Sequence, residues 1–301
     1  MTIKEILKAK ADLIRSAPER YFKRLDRVQL QVFDEVVALM NKLETKDGLI
    51  KLTQKNLRIA DEINGKLKDV LIGSDFDEAV TQFASEFNTQ RDLNVEYFKD
   101  AFPEFKPTKL QDEIFKKTKV QAIEQLAAST PETGFLQGIK DLINDNVQAG
   151  GSFKDAVKSL REYALGGDQV DGKLLKYSKQ VAYDSMATSD RAFTSAIADE
   201  LDSEWFLYAG GEIETSREFC KERHEKYFHY LEVESWAALD WDGKNQETNK
   251  QTIFIFAGGW QCRHNILPVS VFSVPKDVIQ RNIDNGNYKP SEEELALVMW
   301  Q

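Results

Sequence analysis

The sequence predicts an α+β protein: an elongated amino-terminal helical arm, then a mostly helical domain with a small β-sheet near the carboxy-terminus. Three observations carry this. Apolar residues recur at steps of three and four through the first hundred-odd residues, the signature of amphipathic helices. Short runs rich in aromatic and β-branched residues appear late, after Trp205. A chain of 301 residues also exceeds the size at which one core usually keeps growing, so two domains are expected.

Composition sets the class. Hydrophobic residues make up 42% and charged residues 30%, the balance of a folded, water-soluble chain. No run of 18 apolar residues occurs, so no spanning helix is expected. Met1-Thr2-Ile3-Lys4-Glu5 is charged and lacks an apolar segment, which argues against a secretory signal and for synthesis in the cytoplasm. The net charge of −10 argues against general nucleic-acid binding. The charge is uneven, however: residues 1–60 carry 13 Lys+Arg and 8 Asp+Glu, so this arm could meet an acidic partner or a phosphate backbone.

The elements follow in order. Thr2 with Glu5 reads as a capping box, and Leu25, Val28, Val32, Val36, Leu39 and Leu43 form one helical stripe. After a break at Lys46-Asp47-Gly48, Leu52, Ile59, Ile63, Leu67 and Val70 repeat the pattern, and Phe76, Val80, Phe83 and Phe87 give an aromatic-rich third stripe. Pro103 and Pro107 mark a further break. A helix capped by Thr108 with Gln111 runs from about Leu110 to Ala128, and Ser129 to Gly134 interrupts it. The domain boundary is placed there, giving a helical arm at 1–130, a second domain at 131–273 and a tail at 274–301. The narrow stripes and wide charged faces suggest that the arm relies partly on a partner for its stability.

In the second domain, helices are expected over Phe135 to Val147, from Ser152 to about Gly166, and from Leu174 to about Leu201. Strands are expected at Trp205 to Tyr208, Thr252 to Phe256 and Ile266 to Val274, the last broken by Pro268, with Thr215 and Glu218 capping a helix between the first two.

Both cysteines and all three histidines lie between Cys220 and His264. Cys220 and His224, four apart on a predicted helix, share a face. Cys262 and His264, two apart in an extended segment, also point the same way. Two thiolates and two imidazoles would make a closed, structural zinc site with no open catalytic position. The spacings are not those of a familiar zinc finger, and two other outcomes stay open: a pair of free buried thiols, or a Cys220–Cys262 disulfide formed after release from the cytoplasm. His229 reads as a surface or interfacial histidine.

Other chemistry-bearing motifs are missing. The sequence has no phosphate loop ending in Lys-Ser/Thr, no Gly-x-Ser-x-Gly and no His-Glu-x-x-His. Gly258-Gly259-Trp260 reads as a tight turn. Asp240-Trp241-Asp242-Gly243 resembles the start of a calcium loop but lacks the distal Glu, and is read as a turn.

Two segments together resemble a known family. Trp205-Phe206-Leu207-Tyr208-Ala209-Gly210 leads to Thr215-Ser216-Arg217-Glu218-Phe219-Cys220, and Gly258-Gly259-Trp260-Gln261-Cys262-Arg263-His264 follows, then Leu267-Pro268-Val269. This is similar to the head morphogenesis, or minor head protein, family of tailed bacteriophages (Mu F-like). The preceding helix, with Ala187-Thr188-Ser189-Asp190-Arg191, resembles that family's Ala-x-Thr…Arg helix, and Gly134-Phe135 its domain opening. The likeness spans residues 131–272. It departs from the pattern at Glu214, where an Asp is expected and Thr215 intervenes, and at Asp242-Gly243-Lys244, which lies far downstream of Cys220. The resemblance implies a structural, non-enzymatic component of the virion, in the head interior or portal region, with portal, capsid or scaffold proteins and packaged DNA as partners. The alternative is a metal-dependent hydrolase, a nuclease or peptidase, using the Cys/His cluster.

Overall fold

A computed structural model describes residues 1–129, 134–167, 170–292 and 294. It is an α+β protein, dominated by helices, with small antiparallel sheets. The boundary placed near residue 130 lies outside the described residues, as does much of the tail from residue 293 onward. The chain forms two compact units, each assembled from separate segments: Ser16–Glu86 with Val120–Ala182, and Met1–Arg15 with Phe87–Lys119 and Tyr183–Gln301.

The helical unit takes most of α1 (Ile3–Met40), α2 (Gln54–Gly73), the start of α3 (Phe76–Ala101), the end of α4 (Lys109–Glu124), α5 (Leu136–Ala149), α6 (Phe153–Leu165) and the start of α7 (Lys173–Glu200). α1 begins at the expected Thr2/Glu5 capping box, whose two reciprocal bonds are both present, and runs through Pro18. Its stripe is the core: Leu25, Val28, Val32 and Val36 are fully buried, as are Leu67 of α2 and Ile139 of α5. Between α1 and α2, Thr45–Lys46 (β1) and Leu49–Ile50 (β2) make a hairpin across Asp47-Gly48. Both turn residues have positive φ, 53° and 79°, as a two-residue primed turn requires. Buried Asn56 ties this hairpin to α2 by donating to the carbonyls of Glu44 and Lys51, each at 2.8 Å. Gly166–Gly167 (β3) and Val170–Asp171 (β4) form a second small hairpin.

The strand-bearing unit is built on a three-stranded antiparallel sheet in the order β6-β5-β7, formed by Trp205–Gly210 (β5), Lys226–His229 (β6) and His264–Pro268 (β7). Trp205 pairs with His229, and Gly210 with His264. Alternation sends Phe206 and Tyr208 into one core with Phe219, Trp236, Ile253 and Ile266. Trp205, on the other face, packs with Val274, Ile279 and Tyr288, the last two on and just after α11 (Lys276–Asp284). Short helices α8 (Glu218–Lys221), α9 (Tyr230–Ser235) and α10 (Ile253–Phe256) lie in the connections.

Four local expectations are corrected. Ile253–Phe256 is a helical turn, not a strand. Asn249 Oδ1 accepts from the N–H groups of Gln251 and Thr252 and starts the turn. Arg191 then takes the carbonyls of Ile255 and Phe256 that a sheet would have needed. The last strand starts earlier than expected, at His264, and ends at the expected break, Pro268, after which Val271–Ser273 turns instead of extending. Thr215 does not cap α8, whose N-cap is Arg217. His229, expected at the surface or an interface, is fully buried within the strand-bearing unit. It caps α9 in a reciprocal box with Glu232 and meets the Trp205 ring edge-on.

Candidate metal centre

The site lies at one end of the sheet, where β7 begins. α8 and the turn after it deliver Cys220 and His224. The helix proper ends at Lys221, but His224 N–H still donates to Cys220 C=O at 2.9 Å, which preserves the one-turn relation expected of them. Cys262 and His264 arrive on the loop that enters β7.

Cys220, Cys262 and His264 are all buried, and each offers a ligand atom within 4.8 Å of the others. The two sulfurs are 3.9 Å apart and both thiols are free. His264 Nδ1 lies 4.0 Å from Cys262 Sγ. A tetrahedral zinc with 2.3 Å bonds separates two sulfurs by about 3.8 Å, so the spacing fits a shared ion. His224 stands beside the trio: its ring meets that of His264 edge-on at 5.3 Å. His224 Nδ1 and His264 Nε2 are both buried without a hydrogen-bond partner. An orphaned buried nitrogen is costly, and coordination of a cation is one way to satisfy that of His224; His264, whose Nδ1 faces Cys262, would ligate through that atom.

The surroundings are built for sulfur. His264 N–H donates to Cys262 Sγ at 3.4 Å, and Tyr208 Oη donates to Cys220 Sγ at 3.3 Å. The Tyr208 ring also stacks on His264 with centroids 4.9 Å apart, which fixes the imidazole plane. A Cβ at Gly258 would fall 2.5 Å from Cys220 Sγ and 2.9 Å from Cys262 Sγ, so only glycine leaves room for the pair. Ala257 and Gln261, on either side of that glycine turn, both hold φ in the left-handed region, as does Glu225 after His224. Non-glycine residues persist there only where the surroundings over-determine them.

Arg191 of α7 supplies much of that determination. Its buried guanidinium donates to the carbonyls of Ile255, Phe256 and Cys262 at 2.9–3.0 Å. Asp184, one face along the same helix, accepts from Gln261 N–H at 2.8 Å, and burial raises its pKa. The thiols are polarised in opposite senses. Hydrogen bonding from Cys220, then from His264, with the charge of Arg191 adding, holds the Cys262 pKa well below its ordinary value, while the same contact and burial push Cys220 up. Thiols must lose their protons to bind a metal, and the contacts that lower the Cys262 pKa act in that direction.

Next to Arg191, Asp190 is fully buried in a polar cluster. Asn94 Nδ2 and Asn265 Nδ2 donate to it at 2.7 and 2.5 Å, and Lys10 Nζ lies 3.4 Å away. This cluster anchors β7 one residue after His264.

All four sequence-nominated residues therefore lie in one region, three as a tight trio and His224 as its neighbour. Arg191 carried a signal only through the family-like helix, and Asp184 and Tyr208 carried none as site residues. Asp240–Gly243 is a turn without a ligand cage, and Trp241 from it stacks on Phe219 with centroids 4.0 Å apart. Comparison with protein families, with characterised proteins and with solved structures finds no match to this chain.

Proposed function

We propose that this chain is a structural protein of a tailed-phage head, acting at the portal or inner capsid during assembly, and that its strand-bearing unit is clasped by a structural zinc ion. The ligands would be Cys220, His224, Cys262 and His264, with zinc supplying cross-linking of two segments rather than chemistry. One observation supports the reading above others. The two segments that resemble the minor head family, Arg217–Cys220 and Gly258–His264, meet at one buried cluster, and Arg191 of the family-like helix fastens the second of them. A hydrolytic zinc would instead keep its fourth position for water. His224, with a buried and unpartnered Nδ1 and its ring 5.3 Å from that of His264, is the neighbouring side chain that would supply the fourth ligand.

Mass spectrometry of purified particles and procapsids tests the assembly role. Recovery of the protein at a fixed ratio to the portal is expected, and its absence from both would remove the proposal.

A further inference from the structure

A second feature of the same unit has no part in the metal centre. The first turns of α1 and the outward face of the sheet enclose a groove of about 680 Å³. Its floor is apolar, with Leu7, Ala11 and Ile14 of α1 opposite Leu207 and Leu267 of the sheet. Its rim is basic: Lys4, Lys8 and Arg263 are all exposed, and Glu225 is the one carboxylate among the lining residues. Among the described residues, none of the three cations forms an ion pair within the protein. Lys10, at the base, is already neutralised by Asp190 and adds no free charge. An exposed cluster of cations over an apolar trough is unusual in a chain of net charge −10.

We infer that this groove docks an acidic amphipathic peptide segment of a partner protein. Lys4 and Lys8 are one helical turn apart, about 6 Å along the axis. That spacing matches carboxylates two residues apart on an extended chain, at about 3.3 Å per residue. Intervening apolar side chains would then face the leucine-lined floor. Such recognition gains most of its affinity from apolar burial and its orientation from the rim charges. A nucleic acid fits less well, because it offers a continuous phosphate surface with no apolar counterpart to Leu7 and Leu267. The inference gives the assembly reading a partner chemistry and rests on it only for biological context, since particle content and peptide binding are measured separately.

The test uses the full chain and fluorescence anisotropy of a labelled peptide of alternating leucine and glutamate. Saturable binding is expected, weakened at least tenfold by Lys4→Glu with Lys8→Glu and unchanged by Lys109→Glu with Lys116→Glu on α4. Both rim positions are exposed in the first turns of a helix, where added carboxylates favour the fold, so circular dichroism should be unaltered. Leu7→Asp should weaken binding to a similar degree. The inference is overturned if the peptide does not bind, if the Lys4/Lys8 variant binds equally, if a serine/glutamate peptide binds as tightly, or if a DNA duplex outcompetes the peptide.

Discussion

The interiors of the two units are stabilised by different means. In the helical unit the core is a set of aliphatic and aromatic stripes, with Leu25, Val28, Leu67 and Ile139 fully buried and Tyr21 stacked on Phe83, and its buried polar groups, such as Gln29 and Asn56, are uncharged. In the strand-bearing unit, charged and hydrogen-bonding groups reach the centre: Lys10, Asp190, Arg191, His229 and His264 are all buried. Apolar stripes stabilise through area and tolerate small displacements, because the hydrophobic effect has no direction. Buried polar clusters gain little net energy, yet losing one member is expensive, since the remaining partner stays buried and unpaired. The second kind of interior suits a unit that must hold a few side chains in one geometry.

The largest expected effect probes that asymmetry. Asp190→Asn should destabilise the strand-bearing unit by about 3–5 kcal/mol, because Lys10 would be left as an unpaired buried cation. Burial already depresses the Lys10 pKa, and loss of Asp190 would depress it further. Below the ordinary lysine value the unfolded chain would then hold a proton that the folded variant resists, so the variant's stability should rise with pH. Denaturant unfolding at pH 6 and pH 9 measures this, and adding Lys10→Met should recover most of the loss. A deficit that is equal at both pH values and unrepaired by Lys10→Met would break the comparison.

In the helical unit, Leu67→Ala should cost about 3 kcal/mol, from lost transfer energy and a residual cavity. Unlike the previous variant, its deficit should be the same at pH 6 and pH 9. Hydrogen exchange can localise the effect to that unit.

Tyr163→Phe is the smallest of these tests. The hydroxyl donates to Gly134 C=O at 2.7 Å, a bond worth about 1 kcal/mol. Burial pushes its pKa up to about 12, above the usual tyrosine value near 10. Its contribution should therefore be complete below about pH 10 and disappear as pH rises through 12, and the phenylalanine variant should lack that alkaline loss.

Most of the helical unit was legible in the sequence because its cause is local. Stripes at 3.6-residue spacing and the break at Lys46-Asp47-Gly48 depend on residues close in the chain, and so do the Thr2/Glu5 and Thr108/Gln111 boxes of the other unit. The strands were legible only where hydrophobic runs were long. β6, four residues immediately after a turn, carried no such signal, and Ile253–Phe256 misled because its β-branched and aromatic content suits a strand while Asn249 and Arg191 impose a helical turn. The Cys/His grouping could be read because four ligand-type residues fall into two short spacings. Arg191, Asp184 and Tyr208 could not, since what gives them their role is contact across 12 to 77 residues of chain.

The central claim is that the Cys/His cluster is a closed metal site, and cobalt(II) titration of the reduced protein tests it most directly. One equivalent should bind with the intense visible bands of a tetrahedral centre and near-ultraviolet thiolate-to-cobalt charge transfer. Zinc should displace the cobalt, and Cys262→Ser should lower the charge-transfer intensity. Weak, octahedral-type absorption without charge transfer, or a spectrum unchanged by Cys262→Ser, would contradict it.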